Sequence, residues 1–218
     1  MLKRETEKRW NTNKRMEIIL KLAISASLSS LGIVLSTVVV FVPNVEFVSV
    51  TIFLISILFG VYYGLLAAVS ISVVYEFIIT AIIGTAGLLV FFKLICYVSL
   101  AIIAGMGRKT FLKLSSWELG VFGSFFAIFY DLLTTIGYQV IVIQINITLN
   151  YLLIVLVSGA VFTIIHVIGN FVLFSLTRTI VNWIIVAFQA RGIKLIMLPS
   201  IQNKPTETNK PISEGGNV

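Results

Sequence analysis

The chain has 218 residues, 58% of them hydrophobic and only 11% charged, with a formal net charge of +7. A soluble domain carries about 25% charge, so the composition excludes a single soluble core and points to a multi-pass helical membrane protein. The basic residues gather beside apolar runs, where they read as topology signals and not as a nucleic-acid footprint.

Seven of the 16 basic residues precede Leu22: Lys3, Arg4, Lys8, Arg9, Lys14, Arg15 and Lys21. The apolar run over 17–42 is too long for a signal-peptide core and predicts a retained first helix. It stops at the turn signal Pro43-Asn44. A second segment, 47–59, is short for a membrane crossing. A third, 61–81, follows Gly60 with no charged loop between. The two form either a hairpin or one broken helix. A turn at 84–87 leads into a fourth segment, 88–106, which ends at the basic loop carrying Arg108, Lys109 and Lys113. The fifth, 117–140, and sixth, 151–176, are joined by a polar connection, and Arg178 lies just beyond the sixth. Cys96 is the only cysteine, so no intramolecular disulfide can form.

Six crossings place both termini on one side. The basic N-terminus, the 108–113 loop and the basic C-terminus then share that side. The connections 43–46, 82–87 and 141–150 contain no Lys or Arg. By the positive-inside rule the shared side is cytoplasmic. The expectation is an all-α, six-transmembrane-helix bundle in the cell membrane. A basic cytoplasmic segment, 1–16, would precede a membrane domain over 17–185. A cytoplasmic tail, 186–218, would be largely disordered.

Helices in lipid pack through small residues. Ala23, Ala26, Ser27 and Ser30 form one small stripe on the first segment, suited either to packing inside the bundle or to contact with a partner membrane subunit. The third segment carries Gly64, Ala68, Ser72 and Glu76 at successive i+4 steps, which share a face. Gly123, Ala127, Asp131 and Thr134 repeat the device on the fifth. Gly159, Thr163, His166 and Asn170 line the sixth, and Lys93, Tyr97 and Ala104 the fourth.

Glu76, Lys93 and Asp131 stand inside these apolar runs, where an ionisable group costs several kcal/mol unless paired or facing a polar cavity. At a rise of about 1.5 Å per residue, Glu76 and Asp131 lie about 21 Å from the cytoplasmic starts of their helices, and Lys93 about 8 Å from the outer end of its own. All three reach a similar level in the outer half of the membrane, as if lining one outward-facing cavity. The alternative is a structural lock, with Lys93 neutralised by Glu76 or Asp131. His166 and Asn170 are either ligand contacts or hydrogen-bonded packing residues. Glu46 either caps the cavity or is a solvated turn carboxylate.

No GxxxxGK[ST] phosphate loop, HExxH pair or GxSxG elbow occurs, so ATP hydrolysis, zinc-protease and serine-hydrolase chemistry have no support. His166 is the only histidine, which excludes an all-histidine metal site within one chain. The expectation is a protein that is not an enzyme, with no cofactor or metal of its own.

The six-segment plan, the small stripe on the first helix, Pro43-Asn44-Val45-Glu46, the run Phe59-Gly60-Val61-Tyr62-Tyr63-Gly64, and Gly169-Asn170 with Phe174 resemble the substrate-binding S component of energy-coupling factor (ECF) vitamin transporters, over roughly 17–185. The resemblance implies reversible binding of a vitamin or precursor near the outer face. It implies a scaffold (T) membrane subunit and two cytoplasmic ATPases that use ATP. The family's Ala-x-x-x-Ala scaffold contact would fall on Ala23 and Ser27 or Ala26 and Ser30, with serine replacing the second alanine. The pocket would draw on Glu46, Lys93, Asp131, His166 and Asn170. Glu76 joins on depth alone, and Tyr97, Tyr130 and Tyr138 offer stacking surface. The formal charge of this set favours a cationic or neutral ligand. Two other readings stay open: a non-transporting membrane scaffold or assembly subunit, and a stand-alone secondary transporter, for which no convincing internal repeat is present.

Overall fold

A computed structural model describes residues 2–41, 47–84, 89–140 and 148–190. Its described residues form helices and no strand. In chain order they are α1 (Leu2–Val38), α2 (Phe47–Phe59), α3 (Val61–Ile83), α4 (Val90–Met106), α5 (Arg108–Phe111), α6 (Ser116–Tyr138) and α7 (Leu149–Ala190). Four stretches are long and apolar enough to cross a membrane: Arg15–Val38, Val61–Ile82, Ser116–Tyr138 and Leu149–Ala190. α2 and α4 are apolar but shorter.

α2 explains how a short segment fits among long ones. Of its 13 residues, all from Val48 to Phe59 are buried, so it needs no face for lipid. It packs against α1, α3, α4, α5 and α7. The Phe53 ring lies 5.0–5.4 Å from those of Phe111, Phe122 and Phe174. The backbone N–H of Phe47 donates to Ser36 Oγ of α1 at 3.0 Å, so α2 starts level with the last turn of α1.

Between α2 and α3 stands Gly60 alone, at φ +96°, where a side chain would be strained. The two segments are therefore a tight hairpin, not a broken helix. Gly64 of α3 lies against Ser56 of α2, with no room for a Cβ. Arg108 Nη2 donates to Leu58 O at 2.8 Å, placing a cation on the C-terminal carbonyls of α2, where the helix dipole favours it. Burial lowers the Arg108 pKa from its ordinary value. α6 opens with a capping box: Ser115 Oγ accepts from the Glu118 N–H, and the Glu118 carboxylate accepts from the Ser115 N–H.

α6 and α7 pair antiparallel. Tyr151 O–H donates to Gln139 Oε1 at 2.8 Å at one end, and Arg178 Nη1 donates to the carbonyls of Lys113 and Leu114 at the other. Between them a Cβ on Gly123 would come 2.5 Å from Phe174, and Gly120 lies against Phe171 and Ser175. Arg108, Lys109, Lys113 and Arg178 thus gather at one end of the bundle, called the basic end below.

One expectation needs correction, and one alternative left open is narrowed. The sixth helix does not stop near Leu176. α7 continues to Ala190, because Arg178 spends its charge on the 113–114 carbonyls and does not end the helix. The expected tail boundary at 185/186 falls inside it. Of the two readings of the α1 stripe, packing inside the bundle is not observed: Ala23, Ala26, Ser27 and Ser30 are all exposed. α1 turns its opposite face inward, with Lys21, Ser25, Gly32 and Ser36 buried.

Candidate functional site

The small-residue faces of α3 and α7 carry Ser72, Glu76, His166, Asn170 and Thr177 among the buried polar groups. Gly64, Ala68, Ser72 and Glu76 are all buried on α3. Along α7 the face is buried only from His166 onward, through Asn170, Phe174, Thr177 and Val181. Gly159 and Thr163 stay half-exposed.

Lys93 Nζ donates to Glu76 Oε2 at 2.8 Å, joining α4 to α3. One turn further along α4, Tyr97 O–H meets Tyr130 O–H of α6 at 3.3 Å, with ring centroids 5.5 Å apart. Next to Tyr130, Asp131 Oδ1 lies 2.7 Å from His166 Nδ1 of α7. The Tyr130 and His166 rings meet edge to face at 5.4 Å. Asn170 Nδ2 donates to the His166 carbonyl at 3.2 Å. A polar layer thus crosses four helices, α3–α4–α6–α7, with a side-chain pair at each junction.

The tautomer follows from the partners. A carboxylate only accepts, so His166 Nδ1 carries the proton that faces Asp131. Asp131 also sits where its α6 neighbours leave room: Gly123 and Ala127 precede it on the same face, and Ala127 is fully buried.

Of the sequence-predicted site residues, Glu76, Lys93, Tyr97, Tyr130, Asp131, His166 and Asn170 come together in this layer. Tyr138 does not: it lies about two turns beyond Asp131 and is 38% exposed. Glu46 falls outside the described residues. The charges form two pairs, Lys93 with Glu76 and Asp131 with His166. A pocket of about 200 Å³ lies elsewhere, at the basic end, lined by Ile57, Phe111, Leu119, Thr177, Arg178 and Val181. Sequence reasoning missed the Asp131–His166 pair. Its signal was present: both side chains share a face with small residues, so both point inward.

Compared with protein-family models, curated proteins and solved structures, the chain matches none.

Proposed function

We propose that this chain is the substrate-binding S component of an ECF-type importer, which takes up a small vitamin or micronutrient from outside and releases it inward with a scaffold subunit and two ATPases. The observation that carries the reading is the polar layer itself: seven residues from four helices, with two ion pairs, held inside a largely apolar bundle. Polar and ionisable groups at membrane depth mark substrate pathways. The exposed stripe on α1 supports the partner half of the reading. A smooth surface of Ala23, Ala26, Ser27 and Ser30 facing outward lets a second membrane protein approach closely.

In this reading the chain lies in the cell membrane and crosses it six times, with both termini cytoplasmic. α2 and α4 count as crossings although short, since a buried helix need not match the hydrocarbon thickness. The basic end faces the cytoplasm, as the clustering of Arg108, Lys109, Lys113 and Arg178 favours.

One experiment tests both halves. The tagged chain is purified from the cells that make it, and its co-purifying proteins and small molecules are identified by mass spectrometry. An ATPase pair, a membrane scaffold and a bound small molecule are the expected result. Ala23→Trp with Ser27→Trp should remove the scaffold and ATPases while leaving the unfolding temperature unchanged. A second reading, a non-transporting scaffold, draws on one observation: Lys93 is already paired within the chain. It predicts cell-shape or assembly proteins as partners, no ATPase and no bound molecule.

A further inference from the structure

Three acceptor atoms stand out in the polar layer. Glu76 Oε1, Asp131 Oδ2 and Asn170 Oδ1 are buried without a hydrogen-bond partner. Glu76 is 6% exposed and Asn170 1%. Carboxylates offer no donor. The Asn170 amide cannot simply turn round, because its Nδ2 faces the His166 carbonyl, which only accepts. Each orphaned buried group costs about 1–3 kcal/mol, so three in one layer mean that donors come from elsewhere.

The charges point the same way. Lys93 is committed to Glu76, and those two cancel. Asp131 is the layer's second carboxylate, and it meets the His166 imidazole and no lysine or arginine among the described residues. An anionic ligand would meet three acceptors, with the layer's lysine already engaged. A cation would meet the acceptors it needs, beside the stacked Tyr97 and Tyr130 rings, whose faces attract positive charge. Asp131 and Lys93 are only partly buried, so they form the edge of the layer nearest the surface.

We propose that the layer binds an organic monocation bearing at least two N–H donors, with Asp131 Oδ2 and Asn170 Oδ1 as its acceptors and Asp131 as its counter-charge. Lys93 cancels the charge of Glu76 through Oε2, so Glu76 adds a neighbouring acceptor, Oε1, and no counter-charge. This rests on the ligand-binding reading above.

The test uses the full chain in lipid nanodiscs and four probes of similar size. Benzamidinium is a planar monocation with N–H donors. Benzamide is its neutral isostere, benzoate its anionic isostere, and choline a cation without N–H. Affinities are read by thermal unfolding across a titration. Benzamidinium is expected to bind at least tenfold more tightly than each of the others, and to lose at least tenfold in Asp131→Asn. Should that variant fold poorly, Asn170→Ala gives the same loss. The wild-type ranking needs no variant. Mass spectrometry of the chain as purified is run in parallel. Benzoate binding as well as benzamidinium, or an anion recovered with the chain, overturns the ligand class and leaves the binding reading standing. A chain that carries nothing and responds to none of the probes overturns the binding reading itself.

Discussion

A lysine ammonium placed among apolar helices has to find an anion, and Lys93 finds Glu76 at 2.8 Å. Removing one member of such a buried pair strands the other charge. Lys93→Met is expected to destabilise the bundle by about 3–5 kcal/mol, and the double change with Glu76→Gln to recover most of it. Chemical or thermal unfolding in detergent measures both. A double variant as unstable as the single one would mean that the pair does more than cancel charge. The sequence narrowed the partner of Lys93 to two carboxylates. The choice between them needed tertiary structure, because α3 and α4 pack side by side while Asp131 faces α7. His166 was recognisable as inward-facing from its small-residue face. Its pairing with Asp131 was not, since that depends on the antiparallel register of α6 and α7, which the helical pattern of either segment alone does not set.

At the scale of elements, close approach is set by glycine. A Cβ at Gly105 would fall 2.6 Å from the Val61 Cα, against backbone that cannot turn aside. Gly105→Val should therefore push α4 from the start of α3 and lower stability more than Gly159→Val, whose added Cβ meets nothing within 4 Å. Unfolding temperatures of the two variants make the comparison. Gly60→Ala is expected to cost about 1–3 kcal/mol for a different reason, a left-handed backbone angle that an L side chain resists. The small faces of α3 and α6 were legible because their i+4 spacing survives any rotation of the helix about its axis. Which way the α1 stripe faces was not legible. Small residues suit internal and external packing equally, and only the burial of Lys21, Ser25 and Ser36 on the other face decides. The extent of α7 was hidden too: an arginine after an apolar run resembles a helix leaving the membrane, whether or not the helix continues.

For the whole molecule, the proposed orientation makes a labelling prediction. The single native cysteine, Cys96, is fully buried and can be replaced by alanine. In that background Thr110→Cys, on exposed α5, should react with a membrane-impermeant maleimide only in opened cells. Thr148→Cys, exposed at the start of α7, should react in intact ones. The reverse pattern would invert the orientation, and equal labelling of both would break the six-crossing count. The all-helical class followed from the length of the apolar runs, which suit helices and are too long for strands. The number of long helices did not follow so directly, because a segment of 13 residues crosses only about 20 Å at the helical rise.

That same short helix bears on how the protein is made. α2 is too short to settle in a bilayer alone, where about 20 residues are needed and unsatisfied backbone ends are penalised. Its N–H groups at Phe47 and its carbonyls at Leu58 are met by Ser36 and Arg108, residues on either side of it in the chain. α1 emerges from the ribosome before α2, but Arg108 emerges only after α3 and α4. In the proposed six-crossing arrangement α2 would therefore wait during synthesis, either held by the insertion machinery or entering as a hairpin with α3 through Gly60. Its integration completes only when the 108–111 turn arrives, so a chain truncated before Arg108 should remain bound to the insertion machinery or be degraded.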